Sequence, residues 1–394
     1  MPQNIIPDAY VGREQALIKH TILKEYLEKL TAILAVTQPV FEFTYVDCFA
    51  GPWQVDESKM DSTSIAISLQ VLQRCKKAVE SRGGRAVIRA LYVEQSNDAY
   101  PLLKKYLDEN TPVGIETHSI HGEFVASRQK ILDWVGSKGS AFFFIDPKGW
   151  TEVKVNTLAP LLARPRSEFV INFMYEFVRR TFGMERFASE MQELIGEAIG
   201  SGLEETDTES LILDTYRKNL KARVPSTRSS YPVRSVYAKV KHPHQERTKY
   251  HLVYLTTHPK GLNKFMETYE EAVDLQGAVR AQIRDDKKET KTRTADLFSE
   301  EPAYVDDRGT KSNRPLIDNF WIQYIGTERV IDESGFAQIL EDNSWFPGEL
   351  QASLVRLIAQ KKIQNCDALK PRLKKPLHYW ERGGERLRAL PSCP

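Results

Sequence analysis

Cysteine is scarce in this chain: Cys48, Cys75, Cys366 and Cys393 are the only four in 394 residues, and none is placed to form a Cys-x-x-Cys pair. That argues against a zinc site built mainly from thiolates and against a dense disulfide framework. Histidine does not fill the gap. His118 and His121 stand three apart, with no cysteine or further histidine nearby to complete a ligand set, so no metal is expected. Long apolar runs are also missing. None approaches the roughly 20 residues that span a bilayer, and Met1–Asp8 has no signal-peptide pattern, so the expectation is a soluble, cytoplasmic protein with no membrane partner. A large charge of one sign is absent too: 55 Lys and Arg face 53 Asp and Glu, while 41% of the residues are apolar, which excludes global disorder. Two nucleotide fingerprints are not found. The absence of G-x-G-x-x-G argues against NAD or FAD, and the absence of a Walker-type loop argues against ATP or GTP hydrolysis.

What is present is an alternating pattern. Residues 15–34 repeat Leu17, Ile18, Ile22, Leu23, Tyr26, Leu27, Leu30, Ile33 and Leu34 at helical spacing, which predicts an amphipathic helix. Four β-rich apolar runs follow, Phe43–Val46, Ala86–Val93, Ala141–Ile145 and Phe169–Phe173, separated by helix-forming segments at Ser64–Val79, Tyr100–Leu107 and Val125–Val135. Short continuous apolar strands alternating with helices predict a doubly wound, mostly parallel α/β sheet covered on both faces. Val233–Lys241 and Tyr250–Thr256 read as a terminal antiparallel hairpin, and Gly261–Ala272 as a helix. The expected organisation is a domain over residues 1–280, a charged linker over 281–314 and a small domain over 315–394. In the last, Ser334–Leu340 and Pro347–Ala359 read as helices, and Leu377–Trp380 and Glu385–Leu390 as strands about a Gly-Gly turn. That order is the order of a winged helix.

Three strands end at an acidic residue. Tyr45-Val46-Asp47 runs into Cys48-Phe49-Ala50-Gly51-Pro52, where small residues let the backbone approach a ligand; Leu91-Tyr92-Val93 ends at Glu94; Phe142-Phe143-Phe144-Ile145 ends at Asp146, followed by Pro147-Lys148-Gly149-Trp150. In doubly wound sheets ligands sit beyond the carboxyl ends of the strands. An acid at the second strand suits a ribose diol, which it can hold by charge-assisted hydrogen bonds. Asp146 beside the rigid Pro147 can accept from a planar amine, and Trp150 offers a stacking face. Each acid has a plainer reading, as a helix cap or a solvated strand end. Cys48 reads as a small packing residue rather than a nucleophile.

These stretches resemble motifs I, II and IV of class I S-adenosylmethionine-dependent methyltransferases. More closely, His20–Leu34, Tyr45–Pro52, Phe143–Trp150, Leu161–Glu176 and His258–Leu262 resemble the three-Cys-motif partner family, most distinctively in the run Leu162–Phe173. The resemblance implies a Rossmann-like methyltransferase domain with a C-terminal winged helix, S-adenosylmethionine as cofactor, and a three-cysteine, radical-SAM-like protein as partner. Residue by residue it implies that Asp47, Phe49, Ala50 and Gly51 line the methionine end, Glu94 holds the ribose, and Asp146 sits by the reacting sulfonium; from the residues themselves, Gly122, after a possible third strand at Gly114–His118, is expected to edge the adenine, and Pro147 and Trp150 are expected beside Asp146 as catalytic neighbours. The sequence departs from the pattern at three places: Cys48 stands where many relatives have glycine, Asp61-Ser62-Thr63 where they have Gly-Ser-Pro, and Lys148-Gly149 where amino-methyltransferases have Pro-Tyr or Pro-Phe.

Substrate contacts are expected from Lys148, Asn172, Tyr175 and Arg179, and from Lys374 and Lys375 in the tail. Lys19, His20 and Lys24, on the polar side of the first helix, form a second group able to meet a substrate, with ordinary surface charge as the plainer reading. Residues 361–390 hold nine Lys and Arg against three Asp and Glu, with Tyr379 and Trp380 among them, a composition that suits a nucleic-acid phosphate backbone as well as a protein-docking surface. The leading expectation is therefore methyl transfer to nucleic acid or a modified base. The alternative is a non-catalytic partner that uses the same fold to present nucleic acid to another enzyme, and a nuclease is disfavoured for want of a carboxylate–lysine cluster.

Overall fold

The computed structural model describes residues 5–37, 40–51, 62–198, 205–225, 231–292, 310–370, 372–381 and 383–391. Pro52, Asp61, the expected linker's centre at 293–309, and Cys393 lie outside them. The chain divides into two compact units, Met1–Thr257 and His258–Pro394.

In the first unit the expected alternation is realised with small shifts at the ends. After α1 (Glu14–Thr37) come β1 (Val40–Asp47), α2 (Ser64–Glu80), β2 (Arg85–Glu94), α3 (Ala99–Asn110), β3 (Ile115–His121), α4 (Phe124–Val135), β4 (Ser140–Ile145), α5 (Val155–Leu162) and β5 (Ser167–Phe173). The helices α6 (Tyr175–Thr181), α7 (Ala188–Ile195) and α8 (Glu205–Lys221) then lead to β6 (Arg234–Lys241) and β7 (Thr248–Thr256). The seven strands form one sheet in the order β3-β2-β1-β4-β5-β7-β6. β1 to β5 run parallel, and β7 inserts antiparallel between β5 and β6. This is a mostly parallel α/β sheet of methyltransferase type, closed by the expected hairpin.

Burial explains the strand pattern. Every residue of β4 is buried, because helices cover both faces of the central strands. Order reverses between β1 and β4, so the crevice beyond the carboxyl ends opens beside these two strands. The distinctive run Leu162–Phe173 is largely structural. Arg164 donates to the carbonyls of Gly136, Lys138 and Pro165, pinning the loop before β4. Glu168 accepts from Tyr26, Tyr254 and Thr256, tying α1 to β5 and β7 in the core. A half-buried carboxylate with three hydroxyl donors is satisfied where a lone one would be costly.

The second unit begins earlier than the sequence pattern suggests. α9 (Pro259–Thr292) belongs to it, so residues 258–280 leave the first domain. The cause is packing: Tyr269 meets the ring of Phe346, Asn263 donates to the Glu333 carbonyl, and Gly348 N–H donates to Glu270. The expected linker is likewise shortened, being helical to Thr292 and again from the start of α10 (Thr310–Ile325). Next come β8 (Glu328–Ile331), α11 (Glu333–Asn343), α12 (Pro347–Ala359), β9 (Ile363–Asn365) and β10 (Glu385–Ala389). Their strands form an antiparallel sheet in the order β8-β10-β9. Leu377–Trp380 is not a strand. The Leu377 N–H donates to the Gln351 side chain and Tyr379 stacks on Phe336 at 3.9 Å, so this segment packs on the helices and β9 pairs with β10 instead.

Candidate functional site

The carboxyl ends of β1, β2 and β4 converge, as the acid-tipped strands require. A cavity of about 390 Å³ lies among them, and Phe49, Gly51, Glu94, Gly122, Asp146 and Lys148 are in its wall. Glu94 is 8% exposed and fixed by Ser96 N–H, which donates to its Oε1 at 2.7 Å. The other oxygen lies against Gly51: a Cβ built there would stand 2.2 Å from Glu94 Oε2. A side chain at this position would therefore displace the carboxylate from its place. At the far side Gly122 takes φ 149, a conformation costly for other residues, and its N–H donates to the Glu94 carbonyl at 3.0 Å. Phe49 packs against Phe124, rings 5.0 Å apart, giving the cavity an apolar wall.

Asp146 is held from two sides. Lys19 of α1 makes an ion pair with its Oδ2, and Asn172 at the end of β5 donates to its Oδ1 at 2.7 Å. Lys19, expected on the polar side of α1 as a substrate contact or a surface charge, thus holds Asp146; only the tertiary fold brings it to β4. His20, beside it, is buried and bonded to the Tyr10 hydroxyl. Its pKa falls to about 3, chiefly because burial disfavours the cation, with Lys19 next in effect.

A second cavity of about 400 Å³ adjoins the first. Gly51, Asp146 and Lys148 line both. The further wall of the second includes Arg13, Ser62–Ser64 at the start of α2, Pro147, Asn172 and Lys249. Arg13 and Lys249 carry no motif, and no sequence signal pointed to them.

Other expected site residues are placed elsewhere. Asp47 is fully buried behind the loop, where its Oδ1 accepts from Phe49 N–H at 3.1 Å and its Oδ2 from Ser64 Oγ at 2.6 Å. It shapes the loop rather than lining the cavity, and burial raises its pKa to about 6. Ala50 is also fully buried, its N–H bonded to the Val93 carbonyl. Tyr175 is 2% exposed and packs edge-on against His251, so it belongs to the core and not to a substrate surface. Trp150 packs against the core beside α5, and neither it nor Arg179 is in the wall of either cavity. Cys48, by contrast, is in the wall of the first cavity beside Phe49, although only 1% exposed, and burial pushes its thiol pKa up. His118 and His121 stack on Trp134 and Tyr100.

In the second unit Lys374 and Lys375 are exposed. Part of the basic excess is neutralised locally: Arg372 pairs with Glu385, Arg386 with Asp367, and Arg388 with Glu328. Among the described residues no helix is long and apolar enough to cross a membrane.

No family model matches the chain, and no curated protein is similar to it. Among solved structures it is similar to a DUF519 protein from Legionella pneumophila, with 11% identity over 60% of this chain and 85% of that one, at a TM-score of 0.34. Human methyltransferase-like protein 13, solved with SAH, gives 11% identity over 65% and 90%, at 0.31. Loganic acid methyltransferase, also with SAH, gives 9% over 74% and 93%, at 0.27. These are distant similarities, and the fold assignment rests on strand order and direction.

Proposed function

We propose that the first unit binds S-adenosylmethionine in the 390 Å³ cavity and transfers its methyl group to an acceptor in the adjoining one. The observation that carries this reading is the Gly51–Glu94 approach, a carboxylate at the β2 tip held against a Cβ-less residue of the β1 loop. The cavity volume is within the range of about 300–1,000 Å³ usual for cofactor sites. Glu94 would hold the ribose diol, Gly122 and Phe124 the adenine, and Phe49 and Gly51 the methionine end. The cofactor would supply an electrophilic methyl on a sulfonium. The chain's own part is positioning: Lys19 and Asn172 fix the Asp146 carboxylate where the two cavities meet, and Asp146 orients the acceptor's donor hydrogen.

Titration calorimetry with S-adenosylhomocysteine tests the reading. Saturable binding is expected, weakened at least about tenfold in Glu94→Ala, the value of one charge-assisted hydrogen bond. An intact protein that binds none would favour the non-catalytic partner reading.

The second unit supports a winged-helix reading by its order of helix, strand, two helices and two strands. We read it as a nucleic-acid-binding module that works through its basic β9–β10 connection. α12 carries only Arg356, which is paired with Asp318, whereas Lys370, Lys374 and Lys375 of the connection are exposed, as are Lys361 and Lys362 just before β9. Lys374→Ala with Lys375→Ala should flatten the log–log salt dependence of oligonucleotide affinity, by about 0.9 per lost phosphate contact. An unchanged slope would point to protein docking.

A further inference from the structure

The second cavity differs from the first in its charge. Arg13, Lys19, Lys148 and Lys249 stand in its wall, with Asp146 the only acidic residue among those lining it. Lys19 is matched by Asp146, which leaves Arg13, Lys148 and Lys249 with no carboxylate ion pair among the described residues. The first turn of α2 also belongs to this wall, and a helix N-terminus adds partial positive charge. Asn172 is a second, independent sign. It is 3% exposed, lines the cavity, and its amide oxygen has no hydrogen-bond partner among the described residues. A buried acceptor without a donor is left unsatisfied at a cost, so a donor brought by a ligand would be rewarded there.

We propose that this cavity binds the acceptor as a phosphate-bearing nucleotide, with Arg13, Lys148 and Lys249 on the phosphate and Asn172 and Asp146 on an N–H group of the base. The proposal rests on the methyl-transfer reading for its biological purpose but not for its binding chemistry. A free nucleotide and a nucleotide within a strand present the same groups, and the test separates them.

The experiment is calorimetry on the full chain, with and without S-adenosylhomocysteine, using inorganic phosphate, the four ribonucleoside monophosphates, adenosine, and short single-stranded RNA and DNA. Saturable binding of at least one phosphate-bearing probe is expected, with adenosine weaker by about tenfold or more. The double variant Arg13→Ala, Lys249→Ala should lose about tenfold or more for that probe while S-adenosylhomocysteine affinity is unchanged. Asn172→Leu should weaken the nucleotide and spare inorganic phosphate. Binding of monophosphates assigns a free nucleotide; binding of oligonucleotides alone assigns a strand. A folded protein that binds S-adenosylhomocysteine but none of the phosphate-bearing probes overturns the inference and leaves the cofactor reading standing. Phosphate-probe binding without S-adenosylhomocysteine binding does the reverse. An unaltered affinity in the Arg13, Lys249 variant also overturns it.

Discussion

Replacing Gly51 by alanine isolates one methyl group as the control on the cofactor cavity. The added Cβ would lie 2.2 Å from Glu94 Oε2, about 1 Å inside van der Waals contact. The obstacle is the end of a flexible side chain, and Gly51 does not have positive φ, so the backbone need not strain. The carboxylate must turn away instead. Its Oε1 bond from Ser96 N–H, at 2.7 Å, then lengthens or breaks, and both oxygens leave the position from which they would meet a ribose diol. A hydrogen bond to a charged group is worth about 1.5–3 kcal/mol, so affinity for S-adenosylhomocysteine should fall by about 10- to 150-fold. Fold stability should change by no more than about 1 kcal/mol. Calorimetry and thermal unfolding on wild type, Gly51→Ala, Glu94→Ala and the double variant form a complete cycle. Because the glycine acts through the glutamate, the double variant should bind no worse than Glu94→Ala alone. Additive losses would refute the argument, since Gly51 would then contact the ligand independently. Undiminished affinity in Gly51→Ala would refute it more simply.

Three further outcomes follow from buried groups. The Asp47 pKa is raised from 3.8 to about 6, so between those values the folded protein retains a proton that the unfolded chain has released; stability then falls as pH rises through that window, by up to about 3 kcal/mol. Asp47→Asn, which keeps an acceptor for Phe49 N–H, should remove this slope in urea unfolding at several pH values, and parallel profiles would count against it. Cys48→Ala should preserve methyl transfer to any acceptor found, because the thiol is buried and held protonated; abolished turnover with an intact fold would make it a nucleophile after all. Tyr379→Ala should destabilise the second unit by about 3 kcal/mol through loss of its stack on Phe336, whereas Trp380→Ala, 42% exposed, should cost under about 1; hydrogen exchange in α11 and α12 reads both, and equal effects would refute the assignment.

How far the sequence foretold the site depends on what kind of contact defines each residue. Strand tips were legible because a continuous apolar run ending in an acid has one economical placement, and Glu94 and Asp146 reach the same cavity as that pattern requires. Asp47 obeys the same pattern and does something else. Its carboxylate turns back to Phe49 N–H and Ser64, and nothing local distinguishes an acid that faces a ligand from one that closes its own loop. Tyr175 fails for a related reason: two residues after a strand tip, the chain has already begun α6, and helical rotation carries the ring into the core against His251. Arg13 and Lys249 carry no such signal, since they come from the segment before α1 and from the β6–β7 hairpin, elements that meet β4 only through the assembled sheet; Lys19 shows in the sequence only as a charge on the polar side of α1. The wall of the first cavity is thus built mostly from residues close to the strand ends, whereas the second adds Arg13, Lys19 and Lys249 from distant elements to Gly51, Asp146, Lys148 and Asn172; on the proposed reading these are the cofactor and acceptor halves. A site divided in this way should tolerate change unequally. Substitutions near β1 and β2 alter cofactor affinity through local geometry, while those on α1 and β7 alter which acceptor is held, with little effect on the fold. That separation is what the Gly51 cycle and the Arg13, Lys249 variant measure from opposite sides of Asp146.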